Sequence, residues 1–228
     1  VEEKPALGLR AIRYSMKYAD FFTSQIRSIL RAGVYGDIRL LLPMISSIDE
    51  LLEVKSIIEQ EKKRLHEMNI PYKDNIPLGI MIELPSTAFI IDKFTKYVDF
   101  FSIGTNDLIQ YVIGVDRNNE EVSNLYSSVH PAVIRLLKDI YTKVNDAGKS
   151  ISICGELAGD YRYAAVLIGM GYRVFSMNPR SSYMVRKSIA MVNISDCEKL
   201  VELLLSIDTI DEIEALISDF HSKKILSD

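Results

Sequence analysis

A chain of 228 residues, 48% hydrophobic and 25% charged, has the composition of a globular protein and is long enough to bury a core of its own. Its 27 basic and 31 acidic residues leave a net charge of -4 with no basic stripe, which argues against a nucleic-acid partner. Two cysteines are too few for a disulfide framework, no basic-then-apolar signal segment opens the chain, and the most apolar stretch, 76–91, is broken by Glu83 and two prolines. The expectation is one soluble, cytoplasmic domain without a membrane span.

In chain order, Arg10 and Arg13 come first, after Gly8, in what reads as a loop. Guanidinium groups so placed can fork onto phosphate or carboxylate oxygens, although most arginines only solvate a surface. Five apolar runs follow, at 38–44, 78–83, 98–104, 150–156 and 174–177, and read as strands buried on both faces. Helical patterns separate them. The clearest opens with Ser47 and Glu50 in capping-box spacing and carries Leu51, Val54, Ile58 and Leu65 on one face. The stretch 195–220 reads as two amphipathic helices separated near Asp208.

Alternating buried strands and amphipathic helices predict a parallel sheet, whose ligand site lies at the carboxyl ends of the strands. Those ends carry Pro43 and Met44, then Glu83, then Gly104-Thr105-Asn106-Asp107, then Cys154-Gly155-Glu156, then Ser176 and Met177. Glu83 and Asp107 suit a hard divalent cation, which takes one or two carboxylates and fills its other positions with water and substrate oxygens. A helix cap at Asn106 or Asp107 and a solvated Glu83 account for the same spacing equally well. Cys154, at the end of an apolar strand, is by composition more often an inert hydrophobe than a reactive group. His66 lies in a charged helix, His130 precedes Pro131 at a helix start, and His221 stands among C-terminal lysines; none has the surroundings of a catalytic base.

Four segments carry a resemblance: Pro5-Ala6-Leu7-Gly8-Leu9-Arg10-Ala11-Ile12-Arg13, Gly79-Ile80-Met81-Ile82-Glu83-Leu84-Pro85, Phe100-Phe101-Ser102-Ile103-Gly104-Thr105-Asn106-Asp107-Leu108, and Cys154-Gly155-Glu156-Leu157-Ala158-Gly159-Asp160. In this order and separation they resemble the C-terminal domain of phosphoenolpyruvate-protein phosphotransferases, the Enzyme I family. The resemblance implies a (β/α)8 barrel of the TIM type that binds phosphoenolpyruvate and Mg2+. The phosphoryl group passes to a histidine on a separate N-terminal domain, pyruvate is released, and an HPr-like phosphocarrier is charged. By motif match, Glu83 and Asp107 would hold the metal, Asn106 the substrate beside it, and Arg10 and Arg117 the phosphate. Cys154 would protonate the enolate carbon, with Glu156 close by; an ordinary thiol, with a pKa of about 8.5, is protonated at neutral pH. The family's barrel is also its dimerisation element, so 1–228 reads as one phosphoenolpyruvate-binding and dimerisation domain, a homodimer.

Two departures stand out. Lys4 occupies the place of the family's usual asparagine. The chain also begins at what resembles the segment after the third barrel strand, so that three strands and two upstream phosphate-binding arginines are lacking; five strands cannot close an eight-stranded barrel. Val129-His130-Pro131-Ala132-Val133, Ser150-Ile151-Ser152-Ile153-Cys154 and Gly169-Met170-Gly171-Tyr172 look closer to the nitrogen-regulatory branch than to the sugar branch. Two other readings share these features: the barrel of a pyruvate phosphate dikinase or phosphoenolpyruvate synthase, and a non-catalytic dimerisation module.

Overall fold

Single strands separated by one or more helices, with three helices after the last strand, make up residues 6–224, which are the residues described by this computed structural model. Lys4 and Pro5 lie outside them. The fold is α/β with parallel strand pairing, and the chain clusters into two units, Val1–Phe101 and Ser102–Asp228.

The first unit contains α1 (Ala11–Lys17), α2 (Ala19–Ala32), β1 (Leu40–Leu42), α3 (Ile48–Glu67), β2 (Leu78–Ile82), α4 (Pro85–Phe89) and α5 (Ile91–Phe94). β1 runs parallel to β2, Leu40 opposite Leu78 and Leu42 opposite Ile80. The capping box of α3 is formed on both sides: the Glu50 N–H donates to Ser47 Oγ, and the Ser47 N–H donates back to the Glu50 carboxylate. A cap of this kind is worth about 1 kcal/mol. Leu51, Val54, Ile58 and Leu65 line the buried face of α3, and Phe22, Ile26 and Leu30 form that of α2. Glu61 is buried too, which apolar periodicity does not anticipate; it lies 2.7 Å from the Arg27 guanidinium on α2.

β3 (Phe100–Gly104) spans the division. The second unit continues with α6 (Thr105–Ile113), α7 (Pro131–Asp146), β4 (Ser150–Cys154), α8 (Glu156–Gly159), α9 (Ala164–Met170), β5 (Phe175–Ser176), α10 (Pro179–Ala190), α11 (Ile194–Leu204) and α12 (Ile210–Lys224). β4 runs parallel to β5, with Cys154 opposite Ser176. Every residue of α9 is buried. A Cβ on Gly169 would collide with the Cys197 carbonyl of α11, so these two helices approach to backbone contact. Tyr172 is fully buried, and its hydroxyl donates to the Leu137 carbonyl at 2.7 Å.

All five expected strands form, each shorter than its apolar run: by one residue at β2, by two at β3, β4 and β5, and by four at β1. The ends have local causes. Pro43 lacks an N–H, and Met44 has φ +57°; Gly155 has φ +100° and turns the chain into α8. Burial on both faces holds for most of β2 and β3, whereas Ser150 of β4 is exposed and β1 is buried only at Leu42. The two C-terminal helices appear where the periodicity places them, parted around Asp208. Among the described residues no helix is long and apolar enough to cross a membrane.

Candidate functional site

Two of the expected site residues belong to the first unit. Arg10 is the residue before α1, in extended backbone, and Ala11 follows with φ +50°. Arg13, expected in the same loop, instead lies within α1; its guanidinium reaches back to the Gly8 and Leu7 carbonyls at 3.5 and 3.4 Å. Glu83 follows β2 and is only 5% exposed, which overturns the reading of it as a solvated loop acid. Its Oε1 accepts the Met44 N–H at 2.6 Å. Met44 and Ala11 are two of the three non-glycine residues with positive φ among the described residues, and each adjoins an expected site residue; such conformations persist only where the surroundings enforce them.

The remaining five belong to the second unit. Gly104 is the N-cap of α6 and makes no side-chain cap, so neither Asn106 nor Asp107 caps the helix; both stand in its first turn. Asn106 works over a longer range, its Oδ1 accepting the Glu156 N–H at 2.9 Å. Beside it, Thr105 Oγ1 donates to the Cys154 carbonyl at 2.7 Å. These two bonds fasten the start of α6 to the β4–α8 turn. They also explain Gly155: besides its positive φ, a Cβ there would collide with Thr105 Oγ1 and stand 2.8 Å from Asn106 Oδ1.

Cys154 is half-buried, and its thiol donates to the Ile103 carbonyl at 3.1 Å, with Ser102 Oγ 4.0 Å from the sulfur. Ser152 Oγ donates to Ser102 Oγ at 3.0 Å, so a short row of polar groups runs between β3 and β4 up to the thiol. Arg117 Nη1 lies 3.4 Å from Glu156 Oε1, and the Arg117 backbone N–H donates to Gln110 Oε1 at 3.1 Å. The Glu156 side chain is 79% exposed, so solvent screens this ion pair and its contribution to stability is small.

Asn106, Cys154, Gly155 and Glu156 line one cleft of about 840 Å3, which Asn178 and Ser181 close from the start of α10. Tyr126 borders the same cluster, its hydroxyl donating to the Asn106 carbonyl at 3.4 Å. Burial pushes that hydroxyl up to about 12; the Arg117 guanidinium works against the rise, while the Glu156 and Asp107 carboxylates add to it. Tyr126, Thr105 and Gln110 were not singled out from the sequence. Thr105 had a signal, its place in the Gly104-Thr105-Asn106-Asp107 segment, whereas Tyr126 stands in a loop with no pattern around it. Of the histidines, His130 caps α7, its Nδ1 accepting the Ala132 N–H at 3.1 Å.

An α/β fold with a polar cleft at a strand's carboxyl end fits many small-ligand enzymes, and similarity narrows the class. The family of PEP-utilising enzymes, PEP-binding domain, matches residues 1–194, and the chain belongs to it. Phosphoenolpyruvate-protein phosphotransferase of Priestia megaterium is 42% identical over 221 residues, covering 96% of this chain and 39% of that protein. Its counterpart in Bacillus subtilis strain 168 is 41% identical over 218 residues, 96% of this chain and 38% of that one. Multiphosphoryl transfer protein 2 of Escherichia coli K12 is 41% identical over 220 residues, 96% of this chain and 26% of that one. This chain therefore spans about two fifths of the first two relatives. Among solved structures, a citrate lyase from Burkholderia xenovorans LB400 superposes with TM-score 0.55 at 17% identity, covering 89% of this chain and 69% of its own. Malate synthase of Haloferax volcanii gives 0.53 at 13%, covering 92% and 61%. At these identities the likeness is one of fold.

Proposed function

We propose that this chain is the phosphoenolpyruvate- and Mg2+-binding part of an autokinase that passes the phosphoryl group of phosphoenolpyruvate to a histidine on a separate N-terminal domain, releases pyruvate, and charges an HPr-like phosphocarrier. The observation that carries this reading is the Cys154 thiol, held at the end of β4 in a cleft with Asn106, in a chain of the PEP-binding family. In this reading the protein is cytoplasmic, pairs as a homodimer, and supplies five strands of a (β/α)8 barrel whose first three lie outside this chain.

The tasks are those the resemblance implies, and the surroundings of Glu83, Asn106, Arg117 and Cys154 support theirs. Asn106 Oδ1 is taken by the Glu156 N–H, so the amide NH2 is the group turned to a substrate oxygen. Arg10 and Arg117 clamp the phosphate, Arg117 being steadied by Glu156 and Gln110. Glu83 and Asp107 offer the anionic oxygens that a hard cation takes, and Glu83 is fixed by the Met44 N–H. When bound, Mg2+ offsets negative charge on the transferring phosphoryl group. Departure of that group leaves an enolate. Cys154 then gives up its S–H proton to the methylene carbon, a C–H bond forms, and keto pyruvate and a thiolate result; rotation about the Cβ–Sγ bond turns the proton away from the Ile103 carbonyl.

The reverse of that last step supplies a test. In D2O with Mg2+, the chain should exchange deuterium into the methyl group of pyruvate, followed by proton NMR. In Cys154→Ala the exchange should fall about 10²-fold or more, while phosphoenolpyruvate affinity changes far less. Exchange at the wild-type rate in Cys154→Ala would remove the proton-donor role.

A further inference from the structure

Two serines stand in the strands that lead to the cleft, and the reaction proposed above gives them no task. β3 reads Phe-Phe-Ser-Ile-Gly and β4 Ser-Ile-Ser-Ile-Cys; with a period of two, Ser152 and Cys154 fall on one face of β4. Ser102, on the neighbouring strand, is only 5% exposed and sits between the fully buried Phe101 and Ile103. Burying a hydroxyl costs free energy that alanine or valine would avoid, so packing gives no reason for it.

The hydrogen bonds among these groups run in one direction. Ser152 Oγ donates to Ser102 Oγ at 3.0 Å, and Ser102 Oγ donates toward Cys154 Sγ at 4.0 Å. The thiol hydrogen is committed to the Ile103 carbonyl at 3.1 Å, so the sulfur meets Ser102 as an acceptor. Dipoles aligned head to tail polarise one another, and this row ends on Sγ. It matters most once the thiol proton has gone. A thiolate there is half-buried and stands 3.1 Å from the negative end of the Ile103 carbonyl, which disfavours it. Hydrogen bonds to a charged group are shorter and stronger than neutral ones, so the long Ser102 contact tightens as charge develops on the sulfur.

We infer that Ser102, aligned by Ser152, is a positioning residue for the proton transfer: its hydroxyl stabilises the thiolate that remains when the S–H proton passes to the methylene carbon. The inference rests on the proton-donor role proposed for Cys154. In the step the S–H bond breaks, a C–H bond forms, the electron pair stays on sulfur, and Ser102 keeps its own proton throughout.

Threonine and valine are similar in shape and differ in the hydroxyl, so Ser102→Thr against Ser102→Val separates the hydrogen bond from packing, and Ser102→Ala serves if the added methyl is not accommodated. The first readout is alkylation of Cys154 by iodoacetamide at fixed pH, followed by mass spectrometry of its peptide, which requires neither pyruvate nor Mg2+; the thiolate is the reacting form. Losing a hydrogen bond to a thiolate lowers its population about tenfold or more, and roughly half of that, on a logarithmic scale, is offset by its higher intrinsic nucleophilicity. Alkylation should therefore slow about threefold or more in Ser102→Val and Ser102→Ala, and far less in Ser102→Thr. The second readout is deuterium exchange into pyruvate, which should show the same order of loss in kcat with KM unchanged; Ser152→Ala should lose a smaller part. The inference is overturned if Ser102→Ala alkylates as the wild type does, if Ser102→Thr does no better than Ser102→Val, or if the loss of exchange lies in KM. Absence of exchange in the wild type would count against the phosphotransferase reading, and the alkylation comparison would still decide the hydrogen bond.

Discussion

Asn106, Gly155 and Cys154 form a single mechanical unit although 48 residues separate the first from the last. One side-chain amide holds a backbone N–H, one threonine hydroxyl holds a backbone carbonyl, and the glycine between them leaves room for both. Gly155→Ala should therefore do two kinds of damage. A non-glycine residue at φ +100° costs about 1–3 kcal/mol, and the added methyl displaces Thr105 and Asn106. A fall in Tm, together with loss of pyruvate exchange beyond what the stability loss explains, is the expected result. A folded Gly155→Ala protein that exchanges normally would mean that the turn does not position the thiol. Burial of Glu83 belongs to this scale as well: its partner, the Met44 N–H, comes from 39 residues away, and no pattern near Glu83 announces it.

At the scale of elements, the strands and the helices α3, α7, α11 and α12 were legible in the sequence because apolar runs, amphipathic periodicity, the Pro131 start and the Ser47–Glu50 box are local signals, whereas the Arg13 segment, read as a loop, is helical. Their ends were less so, being set by single backbone torsions at Met44 and Gly155. Gly169 and Gly171, quoted above for a family resemblance, serve packing: the first lets α9 meet α11, and the second, at φ +116°, ends α9 against the Tyr141 ring. Gly169→Ala should thus destabilise by about 1–3 kcal/mol through overpacking. Gly36→Ala, at φ 179° with nothing near its Cβ, should be neutral or stabilising by about 0.4–1 kcal/mol. Paired denaturant titrations separate the two, and equal effects would refute the close approach of α9 and α11. Helix α12 adds a pH dependence. The folded His221 pKa lies below its ordinary value of 6.5, so between the two values the unfolded chain binds more protons. Stability should be undiminished above pH 6.5 and fall as pH drops through the folded pKa, and His221→Gln should lose that part of the fall in Tm. A fall of the same size in His221→Gln would locate the effect elsewhere.

At the scale of the whole molecule, membership of the PEP-binding family rests on similarity over residues 1–194, and three of the four motifs that carried the resemblance lie at the carboxyl ends of β2, β3 and β4. Spacing alone left those residues divided between a metal site and ordinary caps. Within the second unit the geometry decides part of that question, since Asn106 is spent on the Glu156 N–H rather than on capping α6. What could not be read in advance were contacts such as that of Tyr126 with Asn106, because a loop aromatic carries no periodicity. The central claim is that Glu83, Asp107 and their neighbours bind phosphoenolpyruvate through Mg2+. It is tested most directly by calorimetric titration of phosphoenolpyruvate into the chain, with and without Mg2+, and into Asp107→Asn. The account predicts binding that requires the metal and weakens about tenfold or more, at least 1.4 kcal/mol, in the variant. Absence of binding with Mg2+ present, or equal affinity in all three titrations, would contradict it.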